Sequence, residues 1–564
     1  MKKTKLGFFI IYYNIIPLII MGICFFAFRG YLSELLCMAL NVTDKSTLYN
    51  LTGYGVNALL LFTWSAITFT TIRNCQYKRL TGRSYPKDRN EFNTKTYFEL
   101  VEFFTTNDTY KMDVDELPII DWHNADGIIL CKVKDIAGNY RLVNRPSFAD
   151  GNAISFGLPG SGKSTCEGAT SALRFNSKLR NGGCGVFAIS IKGDLLNFLR
   201  GKRKNLRIFT PDKAEGSCHY NPLAGLSKMN DTERRSFIEN LSTIICPDES
   251  GDNAAFWVNG ARDYFCAICF YLLYLHDTGA RKGILKFPEL VDAVIDGDPF
   301  TVATTIKDSG CKIAGEYTNS YIGSSEKNTA GVYNHLVKSI RPCIAGALRT
   351  LFDGNGDCIK PSDLNKGDVI IDVPQEKYQI YAKAMSIIVS NFLIAEMQKD
   401  DVSSAKKVIP HLYLLDEFVQ LHLPFDSVLS PALMTLRSKK TSLFMLLQSV
   451  ASLEACYGEA HAREIIDLCA YISVFNAQDP KSRKYFQELI GTRKMLKKSS
   501  SKSTSANRND TAGSNISVVD EYIIPAADFG DLSIKDKKTK KVTKRVMVYA
   551  NGKYILGETT PCYE

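Results

Sequence analysis

Histidine is scarce in this chain, with seven residues in 564, and the seven are dispersed with no metal-ligand spacing. Nothing in the sequence therefore supports a histidine-held metal centre. A disulfide framework is missing too. The sixteen cysteines are scattered without a repeating spacing, which points to reduced thiols in a reducing compartment. The one Cys-x-x-Cys, Cys266 to Cys269, falls in the apolar helical run Tyr264–Leu275 and reads as core packing. Charge-free runs long enough to cross a bilayer are also few. There are two, residues 7–28 and 51–72, whereas a transporter would need more.

Those two runs organise the amino-terminal end. The first is too long an apolar stretch for a signal peptide, and a second follows it. Lys2, Lys3 and Lys5 precede the first run, and Arg73, Lys78, Arg79 and Arg83 follow the second. The loop between them carries only Arg29 and Lys45 as bases, against Glu34 and Asp44. The positive-inside rule then predicts a multi-pass anchor over residues 1–75, with both termini and the bulk of the chain in the cytosol. At this length two to four domains are expected, and an apolar content of 45% supplies ample core. The formal charge of +10 fits a polyanionic partner, a membrane-side bias or simple solubility.

The most informative stretch is Gly157-Leu158-Pro159-Gly160-Ser161-Gly162-Lys163-Ser164, followed by Thr165. It is a complete phosphate-binding loop entered from an apolar run, Asn152–Gly157, and followed by a helix predicted from about Thr165. Its glycines let backbone N–H groups turn inward as a nest for phosphate oxygens. Lys163 can reach the β- and γ-phosphates, and the Ser164 hydroxyl can ligate Mg²⁺. The helix that follows adds the positive end of its dipole. These residues predict binding of a nucleoside triphosphate, ATP, with Mg²⁺.

Around this loop the chain alternates between strand-like and helix-like runs. Residues 76–150 read as a strand-rich lead-in. Buried strands are predicted at Val186–Ile191, Leu206–Thr210, Asp368–Val373, His411–Asp416, Ser442–Leu447 and Tyr471–Phe475. That rhythm predicts an α/β fold with a parallel sheet covered on both faces, over residues 151–230 and 346–496. Between them, residues 231–345 read as helix after helix, an inserted all-α domain. The predicted helices are Thr232–Ile245, Ala255–His276, Lys286–Ile295 and one from near Val332 to about Thr350. Residues 497–517 are polar and low in complexity, which predicts a mobile surface loop. Residues 518–564 return to strands, with a hairpin around Asn551-Gly552. The basic run Lys535–Arg545 reads either as a solvated loop or as a contact for nucleic acid or an acidic partner.

A second element narrows the chemistry. Leu412-Tyr-Leu-Leu-Asp416-Glu417 is an apolar strand ending in two acids. Asp416 is placed to hold the Mg²⁺ shell, and Glu417 to orient and deprotonate an attacking water. Gln448 ends the strand Ser442–Leu447, where it can sense the γ-phosphate or be an ordinary strand-end polar group. Arg437 can reach a neighbouring subunit's γ-phosphate, or be a surface arginine at a helix end.

Further segments carry a resemblance. They are Lys192-Gly-Asp194, Tyr220-Asn-Pro-Leu223, Ala255-Phe-Trp-Val-Asn-Gly-Ala-Arg262, Leu414-Leu-Asp-Glu-Phe418, Leu446–Glu454 with Tyr457-Gly458, and Leu489-Ile-Gly-Thr492. In this order they resemble the type IV coupling proteins, the TraG/TraD group of conjugation and secretion ATPases. The resemblance implies a RecA-like P-loop NTPase domain, a membrane-distal all-α domain, and a homo-hexamer in a bacterial inner membrane. ATP sites would lie at subunit interfaces, with Lys163, Ser164, Asp416, Glu417, Gln448 and a neighbour's Arg437 as the working residues. It also implies the cargo: single-stranded DNA with its attached relaxase (the relaxosome), or effector proteins, passed to type IV secretion channel components. A receptor that uses ATP only as a conformational switch is the other reading. A pump for double-stranded DNA lacks support, since no winged-helix-like module follows the nucleotide domain. One departure stands out: the family has an Asp-Pro before Lys-Gly where this chain has Ser190-Ile191.

Overall fold

The computed structural model describes residues 111–562, apart from positions 123, 136, 180–181, 192, 249–253, 323–324, 403–407, 504–510 and 536–541. Three isolated helical positions, 38, 62 and 66, are described before them. The expected membrane spans otherwise lie outside the described residues.

The chain enters through β1 (Ile128–Lys134) and β2 (Tyr140–Arg145), then β3 (Asn152–Phe156) and the phosphate loop. After the loop come α1 (Ala169–Arg174), β4 (Val186–Ile191), α2 (Asp194–Leu199) and β5 (Leu206–Phe209). Among the described residues, seven α-helices follow without an intervening strand. They are α3 (Asp231–Ile245), α4 (Ala254–Asp277), α5 (Phe287–Asp296), α6 (Pro299–Ser309), α7 (Lys312–Tyr321), α8 (Glu326–Ile340) and α9 (Leu348–Leu351). Alternation resumes with β6 (Asp368–Val373), α10 (Tyr378–Met397), β7 (His411–Leu415), α11 (Ser430–Thr435) and β8 (Thr441–Leu447). Then come α12 (Val450–Asp467), β9 (Cys469–Val474) and α13 (Pro480–Ile490). The tail holds β10 (Thr492–Ser503), β11 (Thr511–Tyr522), β12 (Ile534–Lys535), β13 (Val542–Thr543), β14 (Arg545–Ala550) and β15 (Lys553–Glu558).

Eleven strands make one sheet in the order β2-β1-β15-β14-β9-β3-β8-β7-β4-β6-β5. From β9 to β5 every neighbour is parallel. Such strands are buried on both faces, and β4, β6, β7 and β8 are apolar almost throughout. Alternate residues feed two cores. Phe187 and Ile189 join one, with α3 to α5, α8, α10 and α12. Val186 and Ala188 join the other, with α1 and α2. Helix α10 is apolar all round because it lies inside the first core, with Ile387, Ile388, Phe392 and Leu393 fully buried. Among the described residues it is, with its preceding turn, the one helix long and apolar enough to cross a membrane. Its burial in the core explains that composition.

The lead-in strands pair into the main sheet, with Lys132 opposite Glu558 of the tail. Two expectations need correction. Residues 497–503 and 511–517 are strand rather than loop: β10 and β11 pair antiparallel, with Thr492 opposite Tyr522 and Ser503 opposite Thr511. The ladder is paired residue for residue along both strands. The last long helix of the insertion starts at Glu326, capped by the Ser325 side chain, and ends at Ile340, where Pro342 takes over in a 3₁₀ turn.

The helical run is held by close contacts at two glycines. A Cβ on Gly260 of α4 would lie 2.6 Å from Val332 of α8, and one on Gly331 would lie 2.4 Å from the Trp257 ring. Trp257 and Gly260 both belong to the Ala255–Arg262 segment, so its composition follows from helix contact. The Tyr220–Leu223 segment braces the junction with the sheet. Its Asn221 amide donates to the Leu285 carbonyl (3.0 Å), and the Asn391 amide donates to the Tyr220 hydroxyl (3.0 Å). Cys266 and Cys269 are buried, and the cysteines among the described residues are all free.

Candidate nucleotide site

The loop leaves the carboxyl end of β3, the edge at which ligands bind in open parallel sheets. Gly157 continues the strand, its N–H donating to the Leu447 carbonyl (3.1 Å). A Cβ there would lie 2.7 Å from Ser161 Oγ. Gly162, at φ 108°, takes a backbone that a side chain would strain. The Leu158 N–H donates to the side chain of Asn476 (2.9 Å), just past β9. Asn476 was not anticipated, although a polar residue at the end of a strand beside β3 follows the logic that singled out Gln448. The helix begins at Lys163, two residues before Thr165, with a wide π-type turn over Lys163–Gly168.

The Lys163 ammonium is nearly buried and donates to the carbonyls of Gly157 and Leu158. Burial holds its pKa below the ordinary lysine value, against the opposing pull of Glu417, Asp416 and Glu167. Ser164 Oγ donates to Asp416 Oδ2 at 2.9 Å, joining the loop to the end of β7. Asp416 Oδ1 accepts the Glu417 N–H at 3.0 Å. Burial, then the Glu417 charge, pushes the Asp416 carboxyl up to about 6. Gln448 Nε2 donates to Glu417 Oε2 at 3.2 Å. Loop, acid pair and glutamine thus form one continuous hydrogen-bonded chain across β3, β7 and β8.

Glu417 has φ 48° and ψ 43°, a left-handed conformation rarely held by a non-glycine residue. It opens the 3₁₀ turn Phe418–Leu421, which His422 closes in the same conformation. Arg437 is not part of this cluster. It lies before β8, at the opposite edge of the sheet, with its side chain 73% exposed and its Nε 3.3 Å from Asp150. Lys440 shares that carboxylate at 2.7 Å.

Two further residues escaped sequence reasoning. Glu167 is fully buried beneath the loop, and accepts from Ser473 Oγ at 2.8 Å. Tyr378, the first residue of α10, is buried with a hydroxyl that has no hydrogen-bond partner among the described residues. Burial, with the charges of Asp416 and Glu417, raises its pKa well above the ordinary phenol value.

The profile of the family described as "Type IV secretory system Conjugative DNA transfer" matches residues 112–524. The chain belongs to this family. Among curated relatives of such coupling proteins it is 24% identical over 269 residues to the type IV secretion system-coupling protein VirD4 of Bartonella quintana (strain Toulouse). That alignment covers 46% of this chain and 40% of the relative's length. The fold is shared with the bacterial conjugative coupling protein TrwB. Its unbound form superposes with a TM-score of 0.54 at 16% identity, covering 72% of this chain and 84% of TrwB. The TrwB complex with ADP and Mg²⁺ gives 0.54 at 15% identity, covering 76% and 88%. The complex with the ATP analogue ADPNP gives 0.53 at 15%, covering 72% and 85%. This coupling-protein family member therefore carries a mixed α/β fold with a large parallel sheet.

Proposed function

We propose that this protein is a membrane-anchored ATPase that drives conjugative substrate, single-stranded DNA with attached relaxase, into a type IV secretion channel. The observation that carries the reading is the contact chain Ser164–Asp416–Glu417–Gln448. It joins the phosphate loop to a hydrolytic acid pair and to a residue able to report hydrolysis.

In this reading the RecA-like domain uses the backbone of residues 157–165 and Lys163 to hold the ATP phosphates. Ser164 Oγ and Asp416 Oδ2, 2.9 Å apart, are hard oxygen donors that fit Mg²⁺. Mg²⁺ relies on few carboxylates plus substrate phosphates. When bound, the ion neutralises charge developing on the phosphates. Glu417 orients the attacking water and accepts its proton. Gln448, already bonded to Glu417, senses the change and passes it to α12. Arg437 lies exposed at the far edge of its own sheet, so it is free to complete a neighbour's site in a homo-hexamer. The inserted helical domain receives cargo, and the spans at 7–28 and 51–72 place the ring at the cytoplasmic membrane.

The test is ATP hydrolysis by the full-length chain in mild detergent, with and without single-stranded DNA, beside Glu417→Gln. Turnover stimulated by DNA and abolished in the variant is the expected result. Stimulation by a protein substrate alone would move the cargo to effector proteins, and activity surviving in the variant would overturn the assignment of Glu417.

A further inference from the structure

The basic run Lys535–Arg545 has no place in the function so far, yet the fold carries one of its lysines to the phosphate loop. Lys544 immediately precedes β14, and its exposed side chain places Nζ 3.5 Å from the carbonyl oxygen of Gly160. Gly160 is the tip of the loop, at φ 78°. The approach is not that of a stray tail, because the carboxyl-terminal segment is bonded onto the first turns after the loop. The Cys562 N–H donates to the Thr165 carbonyl (3.1 Å) and Thr560 Oγ1 donates to the Cys166 carbonyl (3.1 Å). Thr170 Oγ1 donates back to the Thr560 carbonyl (2.9 Å), and the Thr559 N–H donates to the carbonyl of Lys544 itself (3.2 Å). Burial pushes the Cys166 thiol up, and the nearby Lys544 charge works against it.

We propose that Lys544 is a phosphate-binding residue of the nucleotide site, supplied to the outer side of the loop by the carboxyl-terminal strands. The proposal rests on the reading of the loop as a nucleoside triphosphate site. A neutral carbonyl is a weaker partner for an ammonium than a phosphate oxygen. The flexible four-carbon stem lets Nζ leave Gly160 for a polyphosphate without moving the backbone. Lys163 then acts from within the loop and Lys544 from outside it. The sequence region most easily taken for a nucleic-acid contact becomes part of the ATP site.

The experiment is titration of the full-length protein with a fluorescent ATP analogue, comparing wild type, Lys163→Ala, Lys544→Gln, Lys544→Arg and Lys535→Gln. Lys544→Gln is expected to weaken binding about tenfold, the effect of one charge-assisted contact. Lys544→Arg should recover most of the affinity, and Lys535→Gln, which removes a charge elsewhere in the run, should leave it unchanged. Melting temperatures without nucleotide should match wild type, since Lys544 is exposed. Equal affinity in Lys544→Gln and wild type would overturn the proposal, as would an equal loss in Lys535→Gln, which would make the effect one of net charge. Absence of binding in the wild type would instead overturn the nucleotide reading itself.

Discussion

Replacing Glu167 by glutamine should stabilise this protein, and by an amount that grows with pH. Burial beneath the phosphate loop pushes the carboxyl up to about 8, from 4.5 for an exposed glutamate. The hydroxyls of Ser155 and Ser473 and the charge of Lys163 offset only part of that cost. The other titratable groups that feel it are the buried thiols of Cys131 and Cys166. With a raised folded pKa, the native state keeps its proton where the unfolded chain has released it. Stability from this group is therefore greatest below pH 4.5, falls as pH rises from 4.5 to 8, and is flat beyond. The gap is worth on the order of 5 kcal/mol, at about 1.4 kcal/mol per unit. Glutamine copies the protonated acid at every pH. Its carbonyl can accept from Ser473 and its amide supplies a donor where the acid has O–H. The difference between variant and wild type should be close to zero near pH 4 and approach several kcal/mol above pH 8. Thermal unfolding of both proteins across that range would measure it, with the titration of every other group cancelling in the difference. A difference independent of pH, or a variant less stable than wild type at pH 8, would refute the reasoning. It would mean that Glu167 is ionised in the folded state and paired with Lys163.

Two other buried charges give predictions of opposite kind. Arg203 and Asp368 pair through two contacts of 2.7 Å with almost no exposure, and the Asp368 Oδ1 also accepts the Val186 N–H (2.9 Å). Asp368→Asn leaves the guanidinium buried and uncompensated, and should cost about 3–5 kcal/mol, read as a lowered urea midpoint. Although burial acts to raise its pKa, Glu396 is held down to about 2 by His411 and Lys399. This group's stabilisation is complete above pH 4.5 and lost as pH falls from there towards 2. Glu396→Gln should therefore destabilise at pH 7 by on the order of 3 kcal/mol and flatten the acid limb of the unfolding profile.

Much of the sheet was legible because parallel strands buried on both faces leave short, unbroken apolar runs. Val186–Ile191 and Asp368–Val373 are found at the residues expected from composition alone. Helices α6 and α7 were not anticipated, since Thr301, Thr304, Thr305 and Thr318 weaken the helical signal. The start signals were nevertheless present: the Asp298 side chain caps α6 through the Thr301 N–H, and Pro299 opens its first turn. The hairpin of β10 and β11 was missed for another reason. Its residues look like linker by composition, whereas the ladder is made of backbone groups that composition does not reveal. Membership of β1 and β2 in the main sheet was equally out of reach, because β1 joins it through β15, more than four hundred residues away in the chain, and β2 through β1.

The same division runs through the site. Residues 157–165, Asp416, Glu417 and Gln448 were visible because each lies at the end of a strand, where local pattern and position coincide. Asn476 met that condition and was overlooked only because its neighbouring strand was not matched to β3. Glu167, Tyr378 and Lys544 fail it altogether. In sequence, Glu167 is one acid in an early helical turn, Tyr378 one aromatic of an apolar helix, and Lys544 one base in a basic run. Their character arises where distant segments meet: Ser473 against Glu167, the charges of the acid pair acting on Tyr378, and the loop tip within reach of Lys544. A motif locates chemistry that one segment carries. Chemistry shared between segments needs the fold, and in this chain the carboxyl-terminal strands, paired beside β9 and bonded onto the turn that follows the phosphate loop, are where that sharing is densest.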